Sequence, residues 1–200
     1  MAEEHNRTGE EERTTTETSV QACICVDGAG EADVDTGLGF LDHMLELLAK
    51  HAKFDLSCQA EGDLHVDGHH TTEDVGIVLG TAFRRALGDK KGIQRFGDAD
   101  IPMADALASV AVDIGGRNYL SYSVEFQNAR IGDFDVELIH EFFQAFCRRA
   151  DLTLHIDVER GANSHHIAEA IFKGLARALR QATAIDPRSP DEVPSTKGTL

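Results

Sequence analysis

The chain carries one short pattern twice, His69-His70-Thr71-Thr72-Glu73 and His165-His166-Ile167-Ala168-Glu169, and each copy opens a segment of helical periodicity. The copies belong to a longer repeat. Asp55 to Ala86 lies over Asp151 to Ala182 without a gap, at a constant offset of 96 residues. Asp55-Leu56 meets Asp151-Leu152, and Leu79, Ala82, Arg84 and Ala86 meet Leu175, Ala178, Arg180 and Ala182. A match of this length is a folding unit used twice, not a solenoid period. Chance similarity between two amphipathic helices would account for the apolar matches but not for the recurring His-His-x-x-Glu. One pseudo-symmetric globule is therefore expected, with halves at 13–98 and 99–186, a mobile acidic start at 1–12 and a tail at 187–200.

The repeated pattern is that of a metal site. Neutral imidazole is the commonest protein ligand for transition metals, and a carboxylate three or four residues on returns to the same helical face. Adjacent residues on a helix point about 100° apart, so each His-His pair is better suited to serve two metals than to chelate one.

Periodicity along the chain gives an α+β fold. Thr18, Val20, Ala22, Ile24 and Val26 alternate along a strand at 14–26, and Asp27-Gly28-Ala29-Gly30 turns it back toward a second strand. A helix follows at about 41–53, a strand at 54–60 and a helix at 72–87; the second half repeats this order with strands at 108–114 and 119–126, a helix at 136–149, a strand at 152–158 and a helix at 165–184. The expected architecture is an internally duplicated pair of mostly antiparallel sheets, each with two helices packed on it.

Composition excludes several functions. A net charge of −16 argues against nonspecific nucleic-acid binding, which rests on lysine and arginine neutralising phosphates. Six lysines against 35 acidic residues fit either a high-salt cytoplasm or an ordinary acidic enzyme. The four cysteines have neither disulfide nor zinc spacing, no apolar stretch approaches the roughly 20 residues of a membrane span, and the acidic start is unlike a signal peptide; a cytoplasmic setting with no membrane partner is expected.

Five segments carry a more specific resemblance: Gly39-Phe40-Leu41-Asp42-His43-Met44-Leu45, Gly68-His69-His70-Thr71-Thr72-Glu73-Asp74, Gly115-Gly116-Arg117, Ser164-His165-His166-Ile167-Ala168-Glu169 and Pro194-Ser195-Thr196-Lys197-Gly198. Together they resemble the imidazoleglycerol-phosphate dehydratase family of histidine biosynthesis, over nearly the whole chain after residue 12. The resemblance implies a lyase that dehydrates D-erythro-imidazole-glycerol phosphate to imidazole-acetol phosphate, two manganese ions per active site, duplicated α+β halves and a large homo-oligomeric cage of octahedral symmetry. Its chemistry explains the need for metal. The proton lost lies on a carbon with no adjacent carbonyl, so the imidazole ring must act as electron sink, held as a dimetal-bound imidazolate that gives a diazafulvene-like intermediate.

By the same resemblance His43, His69, His70, Glu73, His155, His165, His166 and Glu169 are the metal ligands, with Asp42 a candidate to orient His43. Glu17, Glu73 and Glu169 are the catalytic carboxylates, Glu17 being the candidate for proton transfer. Substrate contacts are implied for Glu17, His43, His51, His69, His70 and Glu73. Arg95, Arg117, Ser195 and Lys197 are the phosphate set, with the tail closing over the phosphate. His155 stands where the first half has Gln59, His140 fits no carried-over pattern, and His5 and His65 are expected in solvent.

Two rival classes remain open at this stage. A di-iron or di-manganese carboxylate oxidase builds its site from Glu-x-x-His on bundle helices; here the order is reversed and strands separate the helices. A non-enzymatic metal-storage cage could use paired histidines but would have no need of Arg95, Arg117 and Lys197, so phosphate binding separates the two.

Overall fold

The repeat is a sheet-and-helix unit used twice. Residues 6–200 are described by a computed structural model. The first half contains β1 (Thr8–Thr14), β2 (Thr18–Cys25), β3 (Ala32–Asp35), α1 (Gly39–Ala52), β4 (Asp55–Gly62) and α2 (His69–Leu87). The second contains β5 (Phe96–Met103), β6 (Ala106–Asp113), β7 (Tyr119–Ser123), a ribbon of β8 (Arg130–Ile131) and β9 (Phe134–Asp135), α3 (Glu137–Ala150), β10 (Thr153–Arg160) and α4 (Ser164–Thr183). The strand orders, β1-β2-β4-β3 and β5-β6-β10-β7, are the same arrangement. In each sheet two contacts are antiparallel and one, β3 with β4 or β7 with β10, is parallel. The duplicated α+β expectation holds.

Alternation places the core. Val20, Ala22 and Ile24 on β2, and Ala108, Val110 and Val112 on β6, turn toward the helices and are buried. The helices of α2 lie on β1 and β2, those of α4 on β5 and β6, and α2 packs on α3 as α1 does on α4. The layers are thus sheet, helices, helices, sheet. Buried aromatic rings cross the middle: Phe54 meets Phe83 at 6.2 Å between centroids, Phe83 meets Phe146 at 5.8 Å, and Phe142 and Phe143 meet Phe172 at 5.5 and 4.8 Å. The two halves therefore share one core instead of docking as separate domains.

Two outer strands depart from the sequence-based expectation. The stretch expected to be mobile, 1–12, holds Thr8 to Glu12 of β1, a strand paired residue by residue with β2; its residues 1–5, His5 among them, lie outside the described residues. β5 runs across the expected boundary at 98/99, so the second unit begins at Phe96. Both strands meet their helix through a glycine, and β1 has no apolar alternation beyond it. Their buried contact is a glycine: a Cβ at Gly9 would stand 2.1 Å from the Ala82 carbonyl oxygen, and one at Gly97 2.0 Å from that of Ala178. The helix backbone rests on the missing side chain, which a sequence pattern reads as a break. Ala82 and Ala178 are partners in the 96-residue repeat, so the duplication extends to the outer strands.

Candidate metal centre and substrate site

Each His-His pair sits at a capped helix start. The Asn163 side chain accepts the backbone N–H of His165 at 2.9 Å and of His166 at 3.3 Å, and Asp67 accepts that of His69 at 2.8 Å. The paired rings stand nearly perpendicular, 87° for His69 and His70 and 82° for His165 and His166, the divergence expected of neighbours on a helix.

The second copy is assembled within the chain. His43 on α1 reaches α4, where its Nε2 lies 3.1 Å from Glu169 Oε1; His165 Nε2 lies 3.0 Å from the same oxygen. These three are the one group of possible metal ligands converging among the described residues, their ligand atoms all within 4.8 Å of one another. Ligands about 2.1 Å from an ion and at right angles lie about 3.0 Å apart, so the two nitrogen–oxygen distances match edges of a coordination shell. The donor set of two imidazoles and a carboxylate fits a divalent transition metal. Burial alone would raise the Glu169 carboxyl, but hydrogen bonds from Lys173, His43 and His165 outweigh it and hold it at about 2. Lys173 Nζ approaches Glu169 Oε2 to 2.5 Å from one helical turn away.

An apolar wall borders this group. Phe40 lies 5.4 Å from the His165 ring and 5.2 Å from Phe134, and an open pocket of about 540 Å³ beside His43 is lined by Leu38, Phe40, Ile131 and Phe134. The β8–β9 ribbon, invisible in the periodicity, supplies half of that wall. His51, two turns along α1, has its pKa lowered by burial first and then by Lys173 and Arg177, placing it on the same α1–α4 seam. Asp42, expected beside His43, instead accepts the Thr36 N–H at 2.9 Å and the Thr36 hydroxyl at 2.5 Å, anchoring the loop that enters α1.

The first copy is held differently. His70 donates from Nδ1 to Asp63 at 3.0 Å and lies 3.9 Å from Glu17 Oε2. The bond to Asp63 is the main reason that the His70 pKa is raised; burial opposes it, and the charges of Glu17 and Asp67 add to it. Glu17 is not on a loose edge. Thr15 Oγ1 accepts the N–H of Glu17 at 3.1 Å and of Thr18 at 3.0 Å, and the Glu17 carbonyl accepts the Asp63 N–H at 3.1 Å. Asp74, buried in the first turns of α2, receives Arg13 Nε at 2.8 Å and the Thr18 hydroxyl, and so ties both sides of this turn to the helix that carries His69, His70 and Glu73.

Two further positions separate from these groups. His166 donates from Nδ1 to Asp105 at 2.6 Å; Asp105 Oδ2 also accepts the N–H groups of Ala162 at 2.6 Å and Asn163 at 3.0 Å. The His166 bond, followed by the two amides, holds the Asp105 carboxyl well below the usual carboxylate range. His155 alternates with buried Leu154 and Ile156, so it projects from the outer face of its sheet, its ring 5.8 Å from Tyr119. It lies apart from the His43, His165 and Glu169 group. His140, unassigned in the sequence, is half-buried with its ring 5.1 Å from Tyr122.

The cationic set converges elsewhere. Arg95, at φ +71°, gives Nε and Nη2 to Asp113 at 2.7 and 3.1 Å and Nη1 to the Pro194 carbonyl at 3.0 Å. Gly116 packs on the end of the chain, where a Cβ would stand 2.9 Å from the Leu200 carbonyl carbon. Arg95, the Gly115-Gly116-Arg117 turn and the tail bearing Ser195 and Lys197 are thereby brought together, although the Arg95 fork is occupied by Asp113. Sequence reasoning missed Lys173, Asp74, Asp63 and Asp105. The first could have been found as an i,i+4 partner of Glu169, and the second adjoins Glu73; the other two lie on loops whose partners only the fold selects.

Comparison with known proteins agrees with this architecture. The family model for imidazoleglycerol-phosphate dehydratase matches residues 36–179. The imidazoleglycerol-phosphate dehydratase of Azorhizobium caulinodans is 59% identical over 94% of this chain and 95% of its own, and that of Acidithiobacillus ferrooxidans 56% identical over 97% and 98%. Among solved structures, the Staphylococcus aureus enzyme superposes with a TM-score of 0.82 at 42% identity, covering 90% of this chain and 99% of that one; the Pyrococcus furiosus protein does so at 0.81 and 40%, covering 95% and 100%. With at least nine-tenths of its length matched by these relatives, the chain belongs to the imidazoleglycerol-phosphate dehydratase family of hydro-lyases.

Proposed function

We propose that the protein dehydrates D-erythro-imidazole-glycerol phosphate to imidazole-acetol phosphate in cytoplasmic histidine biosynthesis, as a manganese-dependent homo-oligomer with two metal sites per active site. The observation that carries the metal dependence is the convergence of His43, His165 and Glu169, with edge distances suited to one shared ion. His69, His70, Glu73 and His166 would supply the remaining donors. Because the two rings of each pair diverge, each motif serves two sites, and completing them draws on a neighbouring copy of the chain, in keeping with a large cage of octahedral symmetry. Bound manganese would supply Lewis-acid polarisation of the substrate's imidazole ring, which must accept the electrons released when its side chain loses a proton.

The chain's own groups carry the rest. Glu17, held in its turn beside His70, is the group within reach to move the proton. Glu73 and Glu169 are the carboxylates that act at their sites. Arg95, Arg117, Ser195 and Lys197 bind the phosphate end, where scarce cations and the returning tail meet. His51 lines the seam beside Glu169 as a substrate contact. The Phe40–Phe134 wall excludes water from one side of the metal group.

The test is turnover of imidazole-glycerol phosphate by purified protein. Activity is expected with manganese, none after thorough chelation, and recovery on adding manganese back. Because protons compete with metal for imidazole, activity should also fall as pH drops through about 6.5. Full turnover by demetallated protein would exclude the metal dependence; no product under any loading would leave a metal-binding cage without this activity.

A further inference from the structure

Two of the carboxylates that sequence reasoning missed occupy equivalent places. Asp63 faces His70 and Asp105 faces His166, in each case the second histidine of its pair and in each case at Nδ1. The carboxylates come from unrelated positions in the 96-residue repeat: the partner of Asp63 would be Glu159, not Asp105. The same contact has thus been built from different parts of the two halves, one from the loop after β4 and the other from the turn between β5 and β6. The first histidine of the second pair uses its ring the other way round, for His165 meets Glu169 through Nε2.

We infer that Asp63 and Asp105 are positioning residues that lock His70 and His166 in the Nδ1–H tautomer, leaving each Nε2 lone pair free for a metal. An ionised carboxylate only accepts, so the ring nitrogen facing it carries the hydrogen. That hydrogen bond fixes ring rotation and makes the other nitrogen a stronger donor. Asp105 is committed to accepting on its other side as well, where Oδ2 receives the Ala162 and Asn163 amides, so it cannot present a donor to His166. Asp63 has no such second duty, since among the described residues its side chain bonds His70 alone, with both oxygens at 3.0 and 3.3 Å. This inference rests on the metal-dependent function proposed above.

The difference yields a test. In Asp105→Asn the amide oxygen must stay with the Ala162 and Asn163 N–H groups, which turns the NH₂ toward His166 and forces the Nε2–H tautomer. In Asp63→Asn the amide is free to turn its oxygen to His70. Solid-state ¹⁵N spectra of the full-length, metal-free protein labelled at histidine, in alkaline buffer, read the tautomers directly; loss of a signal in His166→Ala or His70→Ala identifies each ring. The wild type should show Nδ1–H at both. Asp105→Asn should reverse His166 and weaken manganese binding, read by the resonance of free Mn²⁺, by about 10–100-fold. Asp63→Asn should stay near wild type while Asp63→Ala weakens binding, and this pair carries the test if Asp105→Asn fails to fold. An Nε2–H ring at His166 or His70 in the wild type, or unaltered manganese affinity in Asp105→Asn and Asp63→Ala, would overturn the inference alone. A wild-type chain that takes up no manganese would overturn the metal reading, and the role of these carboxylates with it.

Discussion

The two copies of His-His-x-x-Glu share their letters and their helix positions but not their state. Around the second, Glu169 is buried and already engaged by His43, His165 and Lys173. Around the first, Glu73 is half-buried and lies outside any convergent ligand group among the described residues. The helix starts are also secured from opposite directions. In the first half Asp74 reaches out of α2 to Arg13 and Thr18 on the strands; in the second its repeat partner is Ala170, and Asp105 reaches from the strand turn to the loop before α4. Duplication preserved the chemistry at the helix start, while the support around it diverged. A support needs only to place the ring, and many side chains can do that.

The sharpest way to break this comparison is to remove each pair. His69→Ala with His70→Ala in one chain, and His165→Ala with His166→Ala in another, should each abolish turnover. If each metal draws on both motifs across subunits, dissociating and reassembling the two variants together should recover part of the activity. A mixed assembly demonstrated by mass spectrometry that stays inactive would mean that the sites are completed within single chains, and His43 with the second motif would then be the whole of one site.

Next in size is the tail. Deleting residues 194–200 removes Ser195, Lys197 and the carbonyl that receives Arg95, and should weaken substrate binding or turnover strongly with fold and metal content intact. Unchanged steady-state kinetics would detach the tail from the phosphate.

The glutamates should differ in stability as they do in surroundings. Glu169→Gln leaves Lys173 facing a neutral amide in a mostly buried pair and should cost about 3 kcal/mol in urea unfolding of the metal-free chain. Glu73→Gln should stay within about 0.5 kcal/mol. Equal losses would erase the proposed divergence.

The smallest effect concerns the first residues of the repeat. Asp55 accepts the N–H groups of Ala29, Gly30 and Glu31 at 2.8, 3.0 and 3.0 Å, whereas its partner Asp151 pairs with the half-exposed Arg84. Asp55→Ala should cost about 1–3 kcal/mol at neutral pH and Asp151→Ala at most about 1. The amide hydrogen bonds, that of Glu31 foremost, lower the Asp55 carboxyl from its ordinary 3.8. A lowered carboxyl contributes its stability above the unfolded value and loses it as pH falls through the folded one, so the Asp55→Ala penalty should shrink below pH 3.8. A pH-independent penalty would assign it to packing.

Much of the fold was legible where burial imposes a period. The helices at α1 to α4 and the strands β2, β4, β6 and β10 all present one apolar face to the core. β1 was hidden because its contact with the helix is made by Gly9, whose lack of a side chain leaves no periodic trace, whereas β5 alternates Ala99, Ile101 and Met103 after Gly97, a pattern the sequence reading passed over. The β8–β9 ribbon was hidden by its length of two residues per strand. In the candidate site, the His-His-x-x-Glu pattern at α2 and α4 was legible because metal chemistry restricts which residues can serve and a helix restricts their spacing. His155 shows the converse: its residue type suits a metal, but the strand alternation that buries Leu154 and Ile156 turns it outward, away from the His43, His165 and Glu169 group.

By itself the sequence determined the duplication, the layer types and the residue types of the candidate metal ligands, because these depend on local periodicity and on donor chemistry that few residues possess. Tertiary structure alone decided that His43 joins Glu169, that Glu17 stands beside His70, and that Asp63 and Asp105 face the second histidines. Those contacts join residues 126, 53, 7 and 61 positions apart, three of them across loops or turns whose path no period records. A hydrogen bond requires an approach of about 3 Å, and such proximity between distant residues is set by how the layers pack.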